Sequence, residues 1–207
     1  MKKIVFATLP LKNDMKKRIY PVDGNALIEV NEPIYYAVNS ALANTMKADD
    51  EIKVFLLETK GGENAGEENA KLFKEELDHF NQNIGAKISY ETLSNAFDPS
   101  KTNFQFMFKA LIKELEHGAE IYADVTFGPK PLAFLLFTVF QFAEKFFDCS
   151  IGNIVYSKVE FRKGEIIPGS EMIYDITPLY LMNSFTNMIE TSSSDHAIKT
   201  IEALFEE

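Results

Sequence analysis

The sequence contains a single cysteine, Cys149, and no tryptophan. One cysteine excludes a disulfide within the chain, and such cysteine usage is typical of an intracellular protein. Cys149 follows a phenylalanine-rich segment, which indicates a buried and inert thiol rather than a nucleophile. The three histidines, His79, His117 and His196, are widely separated in the sequence. We therefore predict no metal site, and we expect no cofactor.

Positive charge is also scarce, with 21 Lys and Arg against 31 Asp and Glu and a formal net charge of -10. This balance argues against a broad basic surface for duplex DNA or long RNA. A small phosphate ligand remains compatible, because a few local cations and a helix N-terminus are enough to bind it. The longest apolar run, 132–140, is too short to span a bilayer, and the start MKKIVFATLPLKN does not form a signal peptide. We expect a cytoplasmic protein without a DNA or membrane partner.

The 207 residues are 46% hydrophobic and include 18 phenylalanines, so the chain can bury a sizeable core. This length suits one domain with at most a small appendage. We predict one domain over residues 1–190. Residues 191–207 are predicted to form a short polar linker and a tail helix.

Segments typical of strands alternate with segments typical of helices along the chain. The predicted strands are 4–8, 51–58, 87–93, 120–125 and 154–161, and the main predicted helices are 31–46, with Asn31 as N-cap, a charged helix after residue 62, 102–117 and 130–147. This alternation predicts an α/β fold, a Rossmann-like and mostly parallel sheet with helices on both faces. Asp23-Gly24-Asn25 lies between two β-prone runs and predicts a β-hairpin insertion. Residues beyond 161 predict further β and helical C-terminal additions.

Three predicted loops follow strands of this sheet. They are Thr8-Leu9-Pro10, Thr59-Lys60-Gly61-Gly62 and the stretch DVTFGPK at 124–130. In open parallel sheets, ligands bind outside the carboxyl ends of the strands, at the point where the strand order reverses. We therefore expect these three loops to meet at a ligand site.

The stretch 124–130 has the chemistry of an anion site. Gly128 permits close approach of the backbone, Lys130 adds positive charge at a helix start, and Thr126 offers a hydroxyl. Asp124 would repel an anion, so we expect it to brace the loop by accepting backbone N–H groups. An ordinary strand-to-helix turn with a capping threonine is the alternative. Neither a Walker loop nor a GxGxxG fingerprint occurs in the sequence.

The same stretch, Asp124-Val125-Thr126-Phe127-Gly128-Pro129-Lys130, resembles the D-x-T-[HG]-G-x-[RK] signature of CRISPR-associated Rossmann-fold (CARF) sensor proteins. The resemblance covers roughly residues 2–190. It includes the first strand and its loop, the hairpin at Asp23-Gly24-Asn25, and a strand at Tyr156–Glu160 followed by Asp175-Ile176-Thr177-Pro178-Leu179. Phe127 and Pro129 depart from the signature, whereas Lys130 keeps its positive charge.

This resemblance implies a homodimer that binds a cyclic oligoadenylate, the RNA-like ring messenger of type III CRISPR antiviral defence, across its twofold axis. We expect four adenylates in the ring rather than six. The residues expected to contact the ligand are Thr8, Leu9, Pro10, Lys60, Gly61, Thr126, Phe127, Gly128, Pro129 and Lys130. Each subunit would offer the same loops to half of the ring.

The sequence shows no effector domain of the kind that family members usually carry. The Arg-x4-6-His motif of HEPN ribonucleases does not occur, since neither Arg18 nor Arg162 has a histidine at that spacing. We therefore expect a sensor domain that stands alone.

Three functions remain open for such a domain. It could be a metal-independent ring nuclease, in which a ribose 2′-hydroxyl attacks the adjacent phosphate and leaves a 2′,3′-cyclic phosphate. In that case Lys130 would stabilise the phosphate charge, and Thr8 and Thr126 would bond the phosphate or ribose. It could instead bind the ring without cutting it, as a sink or as a switch for a partner protein. The third possibility is an α/β protein that binds another nucleotide.

Overall fold

The computed structural model describes residues 1–12, 14–60, 66–96, 100–190 and 193–205. The strands are β1 (Lys2–Thr8), β2 (Val22–Asp23), β3 (Glu51–Lys60), β4 (Lys87–Ala96), β5 (Glu120–Asp124), β6 (Ser150–Lys158), β7 (Phe161–Arg162), β8 (Glu165–Ile166) and β9 (Met172–Asp175). The α-helices are α1 (Ala37–Thr45), α2 (Gly66–Asn81), α3 (Lys101–Lys113), α4 (Lys130–Phe147), α5 (Thr177–Met188) and α6 (Ser194–Phe205). A short 3₁₀ helix spans Ala26–Ile28.

Seven strands form one sheet in the order β2-β9-β6-β5-β1-β3-β4. All neighbouring pairs are parallel except β6 and β9, which are antiparallel. Helices α1 to α4 connect consecutive parallel strands, as crossover connections require. The predicted Rossmann-like α/β fold is therefore confirmed. Because β3 and β4 lie on one side of β1 while β5 and β6 lie on the other, the strand order reverses between β1 and β5.

Strand β1 lies at the centre of the sheet and is buried from Lys3 to Thr8. Its side chains alternate between two layers. Val5 and Ala7 belong to the core cluster that includes buried residues of α1 and α2. Phe6 stacks on Phe55 of β3 and lies 5.9 Å, centroid to centroid, from Phe140 of α4. Helices therefore cover both faces of the sheet, which explains the nearly unbroken apolar sequence of this strand.

The predicted hairpin at Asp23-Gly24-Asn25 is wrong. Val22 and Asp23 pair in parallel with β9, and the residues that follow form the 3₁₀ helix instead of a second strand. Asn25 caps that helix by accepting the N–H of Leu27, and its amide donates to Asp175 Oδ2 at 3.0 Å. A small antiparallel hairpin does occur, but it is formed by β7 and β8 around Lys163 and Gly164. The turn residues at 23–25 serve as a cap and a tie to a distant strand.

The helix predicted to begin near Asn31 begins at Ala37 instead. Ile34 is held in extended pairing with Arg18, because each residue's N–H donates to the other's carbonyl. The N–H groups of Tyr35 and Tyr36 donate to the buried carboxylate of Glu76 on α2. The start of α1 is thus set by a residue distant in sequence, which local pattern does not reveal.

Helix α4 has the predicted bounds, Lys130–Phe147, and buries Leu132, Leu136, Val139, Phe140 and Ala143. Its outer side is not fully covered in the single chain, since Phe134 is 74% exposed and Phe146 is 55% exposed.

The chain divides into two compact units, Met1–Thr177 and Pro178–Glu207. The first contains the sheet and α1 to α4. The second contains nearly all of α5 and the whole of α6, whereas the sequence placed its boundary at residue 190. The linker residues 191 and 192 lie outside the described residues.

Candidate functional site

The ends of β1 and β3 and the loop after β5 lie close together at the carboxyl edge of the sheet, whereas the loop predicted after Lys60 lies outside the described residues. Gly128 has φ +76°, a left-handed conformation that favours glycine. A β-carbon placed on Gly128 would lie 3.7 Å from Thr8 Cβ and 3.9 Å from Thr59 Oγ1. The cluster lies beside the reversal of strand order between β1 and β5, where ligands bind in folds of this type.

Asp124 is fully buried at the end of β5 and fixes the loop that follows. Its Oδ1 accepts the N–H of Thr126 at 3.0 Å, and its Oδ2 accepts the N–H of Val38 in the first turn of α1 at 3.3 Å. Burial raises the pKa of Asp124, although these bonds act in the opposite direction. The carboxyl group of Asp124 therefore holds the loop 125–129, called the signature loop below, against the start of α1. It occupies that helix N-terminus, which is then not open to an anionic ligand.

Thr8 and Leu9 lie inside the fold. The Thr8 hydroxyl donates to the Asp124 carbonyl at 3.0 Å and accepts the N–H of Phe127 at 3.0 Å. Leu9 is buried in the core, and its N–H donates to the carbonyl of Leu57. A ligand at this edge would meet the loop that Thr8 supports rather than the Thr8 hydroxyl itself. Pro10 is partly exposed, and its carbonyl accepts the side-chain amide of Asn69.

Thr126 is half-buried and also bonded within the fold. Its hydroxyl oxygen accepts the N–H of Ser157, at the end of β6, at 2.8 Å. The Ser157 hydroxyl lies 3.3 Å from the same oxygen, and the Thr126 side chain also bonds the Asp124 carboxylate. The signature threonine thus joins β5 to β6 at the carboxyl edge.

A cavity of about 520 Å³ opens beside Thr126 and Phe127. This volume falls in the range of small-molecule sites, about 300–1,000 Å³. Its walls come from the loop after β1, the signature loop, the end of β6 and the β7–β8 hairpin. The lining residues are Asp14, Met15, Lys16, Arg18, Tyr20, Thr126, Phe127, Ser157, Lys158, Val159, Phe161, Gly164, Glu165 and Ile166. The lining has three cations, Lys16, Arg18 and Lys158, against two carboxyl groups, Asp14 and Glu165, and it includes aromatic rings. Cations and rings of this kind can bind a ligand with phosphate and a flat base.

A second cavity, of about 230 Å³, lies on the other side of the signature loop and is mostly apolar. Pro129, Leu132 and Leu135 line it from the signature loop and α4, opposite side chains of α3 such as Phe104 and Met107. It contains no cation, so it does not have the chemistry of a phosphate site.

Lys130 is exposed at the first residue of α4 and lines neither cavity. The N-cap of this helix is Pro129, which has no capping side chain. In the first turn of α4, Pro131 has no N–H, and the Leu132 N–H donates to the Pro129 carbonyl at 2.9 Å. The start of this helix therefore offers few N–H groups to an anion. Lys60 ends β3, is exposed, and lines a separate cavity with Lys71 and Lys74 of α2. Gly61 lies outside the described residues.

The structure brings together residues that the sequence alone did not connect. Arg18, Lys16 and Tyr20 lie in the loop after β1, and Lys158 and Phe161 lie about 140 residues further along the chain, yet all line the same cavity. The usable signal in the sequence was the cluster KKR at 16–18, the densest basic stretch after the first strand.

No family model and no curated protein matches this sequence. Among the helices that the structure describes, none is both long enough and apolar enough to cross a membrane. Within the described ranges, His, Cys, Asp and Glu side chains do not group in threes or more to hold a metal ion.

Proposed function

We propose that this protein binds a cyclic oligoadenylate messenger as a homodimer and cleaves it slowly without a metal. The observation that carries the proposal is the signature loop, fixed by Asp124 and Thr8 where the strand order reverses, beside an open cavity with cations and aromatic rings. A cytoplasmic location belongs to the same proposal, because the messenger is made inside the cell.

The sequence signature supports this ligand over other nucleotides, and four adenylates remain our expectation over six. One part of the resemblance is weakened, because the hairpin at Asp23-Gly24-Asn25 is absent. Another part, the segment Asp175-Ile176-Thr177-Pro178, supports the resemblance. Its Asp175 accepts the N–H of Thr177 at 3.0 Å and the side-chain amide of Asn25 at 3.0 Å. Two segments of the resemblance are therefore in contact.

Cleavage would depend on positioning rather than on an activated side chain. The hydroxyls of Thr8 and Thr126 are bonded within the fold, so neither is poised as a general base. The ring's own 2′-hydroxyl would attack the adjacent phosphate, and the 5′-oxygen would leave with a proton. The protein would contribute by holding the 2′-oxygen in line and by stabilising the phosphate charge. We expect slow turnover, because neither threonine hydroxyl is placed to act as a general base.

A time course with purified protein tests the proposal. Cyclic tetra-adenylate and cyclic hexa-adenylate are each incubated with the protein in EDTA, and bound ring is separated from linear products. Products with 2′,3′-cyclic phosphate ends would support the ring nuclease. Tight binding of an intact ring would support the second candidate, a sensor or sink, which the internally bonded threonine hydroxyls favour. Binding of an unrelated nucleotide, with no affinity for either ring, would overturn the proposal.

A further inference from the structure

The cavity beside the signature loop is lined by three cations that do not belong to the signature sequence. Lys16, Arg18 and Lys158 line this cavity, whereas Lys130 does not. Lys16 is exposed, and Lys158 forms a surface ion pair with Glu160 at 2.7 Å. Arg18 differs from both because its side chain is only 25% exposed and is held in place. Among the three, Arg18 is the least hydrated and therefore the strongest candidate to bind an anion.

The backbone of Arg18 is fixed independently of its side chain. Its N–H donates to the Ile34 carbonyl at 3.0 Å, and its carbonyl accepts the Ile34 N–H at 2.8 Å. A change of the side chain therefore leaves the loop attached to the segment before α1.

Glu171 orients the guanidinium of Arg18. Its Oε1 accepts from Arg18 Nη1 at 3.3 Å, and its Oε2 accepts the N–H of Gly169 at 2.9 Å. The bond to Glu171 uses one of the five N–H donors of the guanidinium. The remaining donors can therefore bind a second anion. Glu171 itself does not line the cavity, which places it behind Arg18 as a positioning residue.

Three aromatic rings also line the cavity. Phe161 on β7 is 64% exposed, and Tyr20 and Phe127 are half-buried. The rings of Phe127 and Tyr36 pack edge to face, with centroids 5.9 Å apart. Phe161 and the guanidinium of Arg18 line the same cavity, and rings together with cations bind bases and phosphates in single-stranded nucleic acids.

We infer that Arg18, positioned by Glu171, binds a phosphate of a nucleotide unit whose base contacts Phe161 in this cavity. This inference rests on the proposed function, because it takes the ligand to be an oligonucleotide ring. It assigns the main phosphate contact within one chain to Arg18 rather than to Lys130.

Affinity measurements on a matched set of variants test the inference. The Kd of cyclic tetra-adenylate, cyclic hexa-adenylate, AMP and ATP is measured for the wild type and for Arg18→Gln, Arg18→Lys, Glu171→Gln, Lys130→Gln and Arg162→Gln. Arg18→Gln is expected to raise Kd about tenfold or more, since it removes a charge-assisted bond. Arg18→Lys should recover part of the affinity, because it restores the charge without the fork. Arg162 is the control, an exposed arginine next to Phe161 that does not line the cavity.

The comparison with Glu171→Gln separates a phosphate contact from a structural bridge. Both variants break the Arg18–Glu171 ion pair, but only Arg18→Gln removes the cation. We expect Glu171→Gln to weaken binding less than Arg18→Gln does, because the glutamine amide oxygen can still accept a hydrogen bond from Arg18. We also expect Arg18→Gln, and not Glu171→Gln, to reduce the dependence of Kd on salt. Equal losses in both variants, with unchanged salt dependence, would overturn the inference.

The remaining outcomes separate this inference from the proposed function. Ring binding that depends on Lys130 but not on Arg18 would overturn the inference and leave the proposed function standing. Binding of AMP or ATP that depends on Arg18, with no affinity for either ring, would overturn the proposed function and the ring as ligand, and would leave Arg18 as the phosphate contact for another nucleotide. A wild type that binds none of the four probes would overturn both.

Discussion

Thr8 acts through a hydroxyl that is buried among the loops at the carboxyl edge. That hydroxyl bonds both the Asp124 carbonyl and the Phe127 N–H. We predict that Thr8→Val destabilises the protein by about 1–3 kcal/mol, because two buried backbone groups lose their partner. Thr8→Ser keeps the hydroxyl and should retain ring binding. Urea unfolding and ring affinity of both variants provide the measurements.

Thr186 is the matched control for this prediction. It is exposed on α5, and its hydroxyl donates to the Met182 carbonyl at 2.8 Å. Thr186→Val should therefore change the free energy of unfolding by less than about 0.5 kcal/mol. A Thr8→Val protein of wild-type stability that no longer binds the ring would show that the hydroxyl contacts the ligand instead.

At the scale of elements, Glu76 of α2 caps the start of α1 from inside the fold. Its carboxylate accepts the N–H groups of Tyr35 and Tyr36 and the side-chain amide of Asn39. Burial raises the pKa of Glu76 above the ordinary value of 4.5, and the three bonds only partly offset this. The folded state therefore holds the proton more tightly than the unfolded state does.

The sign of the pH effect follows from that raised pKa. As pH rises from about 4.5 through the folded pKa, Glu76 must ionise in a buried site, so its contribution to stability decreases. Glu76→Gln stays neutral, and we predict that the wild type loses stability relative to this variant as the pH is raised to neutrality. Each unit of raised pKa corresponds to about 1.4 kcal/mol. Urea unfolding across this range, for the wild type and Glu76→Gln, measures the difference.

Glu75→Gln is the control for this pH series. Glu75 is an exposed neighbour on the same helix, paired with Lys71 at 3.8 Å. Its substitution should change the free energy of unfolding by less than about 0.5 kcal/mol at any pH. A wild type that gains stability relative to Glu76→Gln with rising pH would contradict the assignment.

The elements that the sequence predicted well are those with a strong local pattern. Helix α4 is apolar over most of its length, and the central strands have β-branched and aromatic runs, so the parallel sheet was predictable. The start of α1 and the segment 22–28 were not predictable, because they depend on distant residues: Glu76 caps α1, and Asp175 accepts the side-chain amide of Asn25. The same reason applies to the cavity, whose Arg18 and Phe161 are brought together only by the fold.

At the scale of the whole molecule, net charge and exposed apolar surface act in opposite directions. Two copies that each carry a charge of -10 repel one another, and salt screens this repulsion. Phe134 and Phe146 on the outer side of α4 are largely exposed in the single chain. We expect a dimer in which this side of α4 is covered by a second copy, with an affinity that rises as salt is added.

Light scattering on Phe134→Glu tests which surface forms this dimer. A glutamate at the centre of an apolar contact must be desolvated without a partner, so we predict a monomer at micromolar concentration. Leu27→Glu is the matched control, because Leu27 is 82% exposed in the 3₁₀ helix, which packs against α1 and β2. If Phe134→Glu remains a dimer, the outer side of α4 is not the interface. If the wild type itself is a monomer even at high salt, a ring site shared between two copies is excluded, and the cavity beside Arg18 must bind its ligand within one chain.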